Sequence, residues 1–338
     1  MTTEQTPCTY LLQTDSNYAQ HAMVTMLSVH RKSAPGRRNV FTVIDDGISP
    51  DLRGKMQELA DKEGFALSFL DCTDVSAMLE AHRVPKWRGG YTAYLKLFAF
   101  SRIPDATVVL YLDCDIIAMR DVSTVFEEYA DMTTPIAVAE DMTVSPNPVY
   151  LRYLFGTEKE TYYNVGAILC NLPLWREQKC EEKLLAFLEE NRKKLMYWEQ
   201  DAINLVFRGN ITTLSNRYNF CTPQLYFGAK TMGRLFGWSK ERTAAYAELE
   251  KTYAVGHCFA VFCGRPWHRG SRHPLTAQYA EYYREIFGKE FCGAPVPAHL
   301  GDKLQYLLYR CCRPLYIRLH NLFTRRYYRN FVESATEK

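Results

Sequence analysis

The segment VVLYLDCDIIAMRD, residues 108–121, decides how the chain folds around it. Five apolar residues (108–112) are followed at once by Asp113, Cys114 and Asp115. In an extended chain the side chains of residues i and i+2 point the same way, so the two carboxylates would repel each other unless a cation lay between them. The pattern therefore predicts a buried strand that ends on a site for Mg²⁺ or Mn²⁺. In the alternative, Asp113 only caps the next turn and Asp115 is solvated.

Size and composition are those of an ordinary globular protein. The chain has 338 residues, of which 47% are hydrophobic and 23% are charged, enough for one large α/β domain or two smaller ones. The net charge of +3 says little by itself, and we expect no nucleic-acid partner. The eleven cysteines follow no CxxC or finger-like spacing, which favours reduced thiols. Without a signal-peptide pattern or about 18 consecutive apolar residues, we expect a cytoplasmic protein.

Strand-like and helix-like segments alternate through the first half of the chain. Nearly continuous apolar strands between amphipathic helices are typical of a mostly parallel sheet covered on both faces, and we therefore expect an α/β fold. Ser49 is predicted to cap one helix and Pro50 to occupy its first position. Ligands of such sheets bind beyond the carboxyl ends of the strands. The predicted strands are 9–14, 39–46, 65–71 and 108–112, and the predicted helices are 18–32, 49–64 and 91–103.

The second half is less regular. We predict strands over 135–141 and 164–172, and helices over 174–195 and 199–209, the last ending at Gly209. Between residues 211 and 270 the chain is rich in Tyr, Phe, Gly and Asn, and its pattern assigns no elements there.

From about residue 303 the chain becomes basic and aromatic. Residues 303–331 carry seven Lys or Arg and seven aromatic residues, with no acidic residue before Glu333. This composition predicts a segment that lies on an anionic membrane surface. The alternative is a terminal helix that packs on a domain over residues 1–302 and keeps its basic face in water. The apolar stripe consists of Leu304, Leu308 and Cys311 before Pro314, and of Leu315, Leu319 and Leu322 after it.

Several segments, in order, resemble the retaining glycosyltransferases of family 8, which include bacterial lipopolysaccharide galactosyl- and glucosyltransferases and glycogenin. The matching segments are LQTDSNYA, YTAYLKL, VVLYLDCDIIAMRD, YYNVGAILCNLPLWR, YWEQDAINLVF, SNRYNF and GHCFAVFCGRPWH. The resemblance spans roughly residues 8–270 and is especially marked with bacterial lipooligosaccharide galactosyltransferases, which also end in a basic, aromatic, membrane-attaching tail. It implies a GT-A type Rossmann-like nucleotide-sugar fold over residues 1–302, followed by the tail 303–338.

The resemblance also implies metal and donor contacts. Asp113 and Asp115 match the metal-binding DxD, and His257 matches a third ligand whose imidazole suits Mn²⁺ better than Mg²⁺. Where relatives often carry Arg, this chain has Tyr94, so that positive contact is either missing or supplied by Lys96. The residues matched to the donor are Asp15, Asn17 and Tyr18 for uracil and ribose, Gly264 and Arg265 for the diphosphate, and Asn164 and Gly166 for the loop beside the sugar.

The remaining matches concern the transfer itself. Glu199, Gln200 and Asp201 match a triplet at the start of a helix that faces the anomeric carbon, and Asp141 matches an acceptor-side carboxylate. An amide oxygen is a poor nucleophile, so Gln200 favours front-face transfer, in which the acceptor hydroxyl attacks beside the departing diphosphate. Without the resemblance, the acids of the triplet are only favourable helix N-terminal charges, and His257 is a buried core histidine.

The expected function is therefore the transfer of galactose or glucose from UDP-galactose or UDP-glucose. The acceptor would be a glycan of the cell surface or one linked to lipid. Mn²⁺, with Mg²⁺ as the alternative, would be the cofactor. The protein would lie at the inner face of the membrane. Three alternatives stay open at this point. They are a glycogenin-like self-glucosylating transferase, a haloacid dehalogenase-type phosphohydrolase with Asp113 as nucleophile, and a non-catalytic adaptor that binds sugar nucleotides.

Overall fold

The computed structural model describes residues 6–86, 89–104, 106–191, 194–259, 261–296 and 300–337. The strands are β1 (Cys8–Thr14), β2 (Asn39–Asp45), β3 (Ala66–Asp71), β4 (Val108–Leu112), β5 (Ile116–Ala118), β6 (Ile136–Glu140), β7 (Tyr163–Asn171), β8 (Ile211–Leu214), β9 (Phe220–Cys221) and β10 (Val255–His257). The helices are α1 (Ala19–Lys32), α2 (Pro50–Glu63), α3 (Thr73–Ala81), α4 (Thr92–Leu95), α5 (Thr124–Glu128), α6 (Pro148–Phe155), α7 (Leu172–Glu177), α8 (Cys180–Glu190), α9 (Trp198–Val206), α10 (Thr222–Phe236), α11 (Lys240–Thr252), α12 (Thr276–Phe287), α13 (Leu300–Cys311) and α14 (Arg313–Thr336).

A seven-stranded sheet in the order β3-β2-β1-β4-β7-β6-β8 forms the centre. Only β7 runs antiparallel to its neighbours β4 and β6, so the mostly parallel sheet is confirmed. Successive residues of a strand face opposite sides: Tyr10 and Leu12 of β1 join the apolar cluster under α1 and α2, while Leu11 joins the cluster under α3 and α8. Helices therefore cover both faces, as the apolar strands indicate.

The predicted start of α2 is confirmed in detail. The Ser49 hydroxyl accepts a hydrogen bond from the Leu52 N–H at 3.4 Å, and Pro50 occupies the first turn, where its missing N–H costs nothing. The helix ends at Gly64, whose φ of 81° is left-handed.

Two predicted helices are wrong as continuous elements. Segment 91–103 forms the short α4 and two 3₁₀ turns, Lys96–Phe98 and Phe100–Arg102, because its side chains from Tyr94 to Phe100 are buried on all sides and no single helix face serves them. Segment 174–195 is split into α7 and α8 by Lys179, whose left-handed φ of 53° interrupts the helix.

A small three-stranded sheet, in the order β5-β10-β9, lies in the region where the sequence pattern assigns little. Strand β5 begins immediately after Asp115, and β10 pairs with it antiparallel so that His257 stands opposite Ile116. This pairing carries His257 to the carboxyl end of β4 across more than a hundred residues of sequence.

The basic, aromatic tail forms α13 and α14, and the expected boundary at residue 303 falls inside α13. Tyr328 is buried against Tyr150 and Tyr197, and Tyr316 is buried against Phe227. Leucines of the same helices are exposed, so the tail both packs on the body and offers apolar side chains to its surroundings. Among the residues described, no helix has the length and apolar character needed to cross a bilayer.

Candidate active site

Asp113, Asp115 and His257 come together at the carboxyl end of β4. His257 Nε2 lies 3.6 Å from Asp113 Oδ2 and 3.1 Å from Asp115 Oδ1, and one ligand atom of each residue lies within 4.8 Å of the others. The backbone N–H of Asp113 donates to the Gly166 carbonyl at 2.8 Å, which fixes the carboxylate against β7. Two carboxylates and one imidazole nitrogen are a donor set that fits Mn²⁺.

Gly166 provides the space that this cluster needs. A Cβ on residue 166 would collide with the ring of His257, with Nδ1 only 2.7 Å away, and would stand 3.0 Å from Asp113 Oδ2. The absence of a side chain therefore allows the imidazole to approach the carboxylates, a cradle consistent with a cation there.

Asn219 orients His257 and was not assigned a role from the sequence, although it lies in the SNRYNF block. The Asn219 amide donates to Asn164 Oδ1 at 2.8 Å, which leaves its own Oδ1 facing His257 Nδ1 at 2.9 Å. Nδ1 must then carry a proton, and Nε2 is the nitrogen that would bind a metal.

Charge complementarity holds the cluster together. Burial alone would raise the pKa of Asp115, but His257 and the Arg265 guanidinium, which is ion-paired to Asp115 Oδ2, hold that pKa well below its usual range. Burial opposes protonation of His257, yet Asp115 and Cys221 together raise its pKa well above the ordinary value. Arg265 also lies 5.9 Å from the centre of the Tyr18 ring, so it joins the metal cluster to the end of β1.

Lys96 is a buried cation on the other side of Asp113. Its Nζ lies 3.6 Å from Asp113 Oδ1 and 3.5 Å from Glu199 Oε1. Burial lowers the pKa of Lys96, but the two carboxylates outweigh that effect and raise it. Tyr111, which the sequence analysis did not single out, donates its hydroxyl to Asp113 Oδ1 at 2.6 Å. Lys96 thus places positive charge between Asp113 and Glu199, whereas Tyr94 is buried in the core.

Gln200, Asn164 and Asp141 form one hydrogen-bonded group. Gln200 Oε1 accepts from the Val165 N–H at 3.2 Å, and its Nε2 donates to Asp141 Oδ2 at 3.3 Å. Asn164 donates to the same carboxylate oxygen at 3.1 Å. The amide of Gln200 is therefore held next to the predicted acceptor-side carboxylate.

Asp201, the third member of the predicted triplet, lies in a buried hydrogen-bonded environment. It is completely buried, and its two oxygens accept the hydroxyls of Tyr150 and Tyr162, both at 2.7 Å. Burial raises the pKa of Asp201, and these hydrogen bonds offset part of the rise. Both oxygens of Asp201 are thus engaged by tyrosine hydroxyls, and its expected catalytic role stays a prediction.

Asp15, Asn17 and Tyr18 lie at the carboxyl end of β1, beside that of β4. Asp15 Oδ1 accepts the N–H groups of Asn17 and Tyr18, both at 2.9 Å, so it shapes the turn into α1. Cys114, between the two aspartates, is on the opposite side of the chain: its thiol donates to the Gln13 carbonyl, and burial raises the pKa of that thiol.

Gly264, the residue predicted beside the diphosphate, lies in the turn before Arg265. Its N–H donates to the Val261 carbonyl at 2.8 Å inside a turn, at a left-handed φ of 80°. The N–H is therefore engaged within the chain, and only the neighbouring Arg265 reaches the metal cluster.

Comparison with known proteins agrees with this geometry. Residues 9–270 match the sequence profile of Glycosyl transferase family 8. General stress protein A of Bacillus subtilis is 27% identical over 275 residues, which covers 79% of this chain and 90% of that protein. A lipopolysaccharide 1,2-glucosyltransferase of Escherichia coli K12 is 23% identical over 273 residues, covering 78% and 74% of the two chains.

Solved structures share the architecture. The galactosyltransferase LgtC, in complex with donor and acceptor sugar analogues, superposes with a TM-score of 0.67 at 22% identity, covering 82% of this chain and 96% of that one. The bifunctional glycosyltransferase WbbM superposes with a TM-score of 0.68 at 17% identity, covering 86% of this chain and 53% of that one. At these identities the likeness concerns the fold alone, and it confirms the GT-A type α/β architecture.

Proposed function

The chain belongs to Glycosyl transferase family 8, and from this premise we propose that it is a retaining hexosyltransferase that moves galactose or glucose from a UDP-sugar to a glycan acceptor. The observation that carries the proposal is the meeting of Asp113, Asp115 and His257 with Arg265 at the carboxyl ends of β1 and β4. In α/β sheets this edge is where nucleotides bind.

The donor would lie across the ends of β1 and β4. Asp15, Asn17 and Tyr18 would hold uracil and ribose, and Asn164 and Gly166 would flank the sugar. Asp113, Asp115 and His257 would hold Mn²⁺, with Mg²⁺ as the less suitable alternative because imidazole is one of the ligands. When bound, such a cation neutralises charge that develops on the leaving diphosphate. Arg265 can bind the same diphosphate through its fork of donors.

Transfer would proceed on one face of the sugar. The acceptor oxygen forms a bond to the anomeric carbon while the bond from that carbon to the diphosphate oxygen breaks, and the hydroxyl proton passes to a diphosphate oxygen. The product retains its configuration, and UDP leaves. Gln200, held by Val165 and Asp141, would stabilise the positive charge of the oxocarbenium-like state through its amide oxygen.

Glu199 would face the donor sugar and Asp141 the acceptor sugar, and neither would contact the leaving diphosphate. Glu199 is paired with Lys96 and borders the same cluster, where burial raises its pKa although Lys96 opposes the rise. Asp141 accepts hydrogen bonds from Asn164 and Gln200 and would orient the attacking sugar.

The acceptor is proposed to be a glycan of the cell surface, such as lipopolysaccharide, because one relative is named a lipopolysaccharide 1,2-glucosyltransferase. The seven exposed cations of α13 and α14 favour attachment of the tail to the inner, anionic face of a membrane. Family membership removes support for the phosphohydrolase alternative. A glycogenin-like enzyme would instead add sugar to itself, and an adaptor would bind UDP-sugar without turnover.

The experiment is an assay of UDP release by the purified chain with UDP-galactose or UDP-glucose and Mn²⁺. We expect release to vanish with a chelator and to fall at least about a hundredfold in Asp113→Asn, since a metal ligand is lost. Asp61→Asn, at an exposed carboxylate on α2, is the matched control and should keep full activity.

Full turnover of Asp113→Asn would show that the metal role is wrong. Hydrolysis of p-nitrophenyl phosphate in place of UDP release would favour the phosphohydrolase. Binding of UDP-sugar without release would favour the adaptor, and a mass increase of the protein itself would favour self-glucosylation.

A further inference from the structure

The turn that leads into α9 has a strained backbone. Trp198, the first residue of this helix, has a φ of 35°, in the left-handed region that bulky residues rarely adopt. Such a conformation persists only where the surrounding structure holds it. Glu199 and Gln200 follow Trp198 directly, so the course of the chain at this turn decides where their side chains point.

Asp201 holds the backbone of this turn. Its Oδ2 accepts the Tyr197 N–H at 2.8 Å and the Tyr150 hydroxyl at 2.7 Å. The oxygen of the Tyr150 hydroxyl in turn accepts the Met196 N–H at 3.3 Å. The two residues that precede the strained position are therefore held by one buried carboxylate and one buried tyrosine.

The C-terminal helix α14 packs on the same tyrosines. The Tyr328 hydroxyl lies 2.8 Å from that of Tyr197, and the ring centroids of Tyr328 and Tyr150 are 5.3 Å apart. Phe331, one turn further along α14, packs edge-on against Tyr150 with centroids 5.9 Å apart. This helix lies outside residues 9–270, the part of the chain that matches the family profile. The support of the turn thus includes an element that the family profile does not cover.

We propose that Asp201 is a positioning residue which, together with Tyr328 of α14, holds the turn that aims Gln200 at the donor sugar. This inference rests on the proposed function because it concerns the same reaction. Asp201 acts here without touching a substrate, since hydrogen bonds inside the protein engage both of its oxygens. Loosening the turn lowers kcat and leaves the metal site intact, because the three metal ligands lie elsewhere in the fold.

Substitutions of Asp201 separate positioning from direct catalysis. In Asp201→Asn the amide oxygen can still accept the Tyr197 N–H and the Tyr150 hydroxyl, and the amide NH₂ can donate to the hydroxyl of Tyr162, which turns to accept it. Asp201→Ala removes all of these bonds. We expect kcat for Mn²⁺-dependent hydrolysis of UDP-sugar to stay within about threefold of the native value in Asp201→Asn and to fall at least about thirtyfold in Asp201→Ala. Equal, large losses in both variants would mean that the negative charge itself is required, and would overturn the proposal.

The contribution of α14 is tested by variants that lose only a hydroxyl group. Tyr328→Phe should lower kcat about three- to tenfold and leave the KM for UDP-sugar nearly unchanged. Tyr197→Phe breaks the same contact from the other side, so the double variant should lose no more than either single variant. Tyr327→Phe is the matched control, at a neighbouring residue that is 61% exposed, and should keep the native kcat. Losses that multiply in the double variant would overturn the proposal.

A further comparison shows whether the effect passes through Gln200. In a Gln200→Ala background, Tyr328→Phe should cause no additional loss of kcat, because the group that the turn aims is absent. A loss of overall stability would lower kcat in both backgrounds alike, and that result would count against the proposal. Because Tyr328→Phe removes a single hydroxyl, this test remains available even where Asp201→Ala fails to fold.

Hydrogen exchange tests the turn without any assay of activity. Exchange of the Met196 and Tyr197 amides should quicken at least about tenfold in Asp201→Ala and stay near the native rate in Asp201→Asn. Native rates in Asp201→Ala would overturn the proposal. Absence of UDP-sugar hydrolysis by the native protein would instead refute the proposed function, whereas equal hydrolysis by the native protein and Tyr328→Phe would refute the positioning alone.

Discussion

At residue 166 the site has no room for a side chain. In Gly166→Ala the new methyl group would displace the His257 ring from Asp113. We expect Mn²⁺ affinity, measured by electron paramagnetic resonance of free Mn²⁺, to fall at least tenfold. Overpacking should also lower the free energy of unfolding by about 1–3 kcal/mol.

The control for this change is Gly54→Ala. Gly54 is exposed on α2 and a Cβ there meets no atom within 4 Å. Alanine should raise the free energy of unfolding by about 0.5–1 kcal/mol because it is the better helix former. Native Mn²⁺ affinity in Gly166→Ala would contradict the close packing of His257.

Asn219 should affect the metal without touching the substrate. Asn219→Ala removes the acceptor that keeps the proton on His257 Nδ1. We expect Mn²⁺ affinity to fall about 10- to 100-fold, while the KM for UDP-sugar at saturating Mn²⁺ stays nearly unchanged. Asn219→Asp keeps an oxygen at that place and should restore part of the affinity. An equal loss in Asn330→Ala, at an exposed position on α14, would point to a general effect instead.

The placement of some site residues could be predicted from the sequence, and the placement of others could not. Asp113 and Asp115 were predictable as neighbours because they follow a buried strand directly, although β4 ends at Leu112 and both aspartates lie in the turn between β4 and β5. The hydrogen bonds of Asp201 were not predictable, because they come from the hydroxyl groups of Tyr150 and Tyr162, which lie far away in sequence.

At the scale of elements, α14 is fixed to the body by a few aromatic residues. Tyr328 is 4% exposed and its hydroxyl lies 2.8 Å from that of Tyr197. Tyr328→Ala should lower the free energy of unfolding by about 3 kcal/mol, as expected when a large buried side chain is removed. Chemical denaturation measures this, with Tyr327→Ala as the control because Tyr327 is 61% exposed. Equal, small effects of both changes would mean that α14 does not pack on the body in solution.

The tail also shows where element prediction stops. Its apolar and basic periodicity indicates helices, but a helix with this pattern can lie on a membrane surface or pack on a protein surface equally well. Which aromatic residues face the body depends on where Tyr150 and Phe227 lie after folding. The region from 211 to 270 was unassigned for a related reason: β9 and β10 contain only two and three residues, too few for a period to emerge.

At the scale of the whole molecule, buried neutral histidines make stability depend on pH. His21 stacks on Trp267, and His273 lies 3.0 Å from the Thr222 hydroxyl; burial lowers the pKa of both from 6.5 to about 4. Above pH 6.5 these histidines are neutral in both states. As pH falls from 6.5 to about 4, the unfolded chain takes up protons that the folded chain does not, so stability falls by up to about 3 kcal/mol for each histidine.

Denaturant unfolding at pH 7.5 and pH 5 measures this slope. His21→Gln and His273→Gln should each reduce it. A slope that is the same in all variants would show that other groups cause the pH dependence.

The overall architecture was predictable for a plain reason. Parallel strands buried on both faces must be apolar along their length, and the helices that cover them must be amphipathic, so the central sheet was readable from local sequence. The reversed strand β7 and the small sheet that carries His257 were not, because their placement depends on pairing between distant segments.

The hydrogen bonds around His257 run in one direction only. His257 donates to Asn219, Asn219 donates to Asn164, and Asn164 donates to Asp141, which accepts from all its neighbours. This order cannot be reversed, because the backbone N–H of Gly166 also donates to Asn164 Oδ1 and a backbone amide cannot turn around. The Nδ1 proton of His257 is thus fixed by Asn219 and by Asn164 of β7 together, so a cation that enters the site can bind His257 only through Nε2.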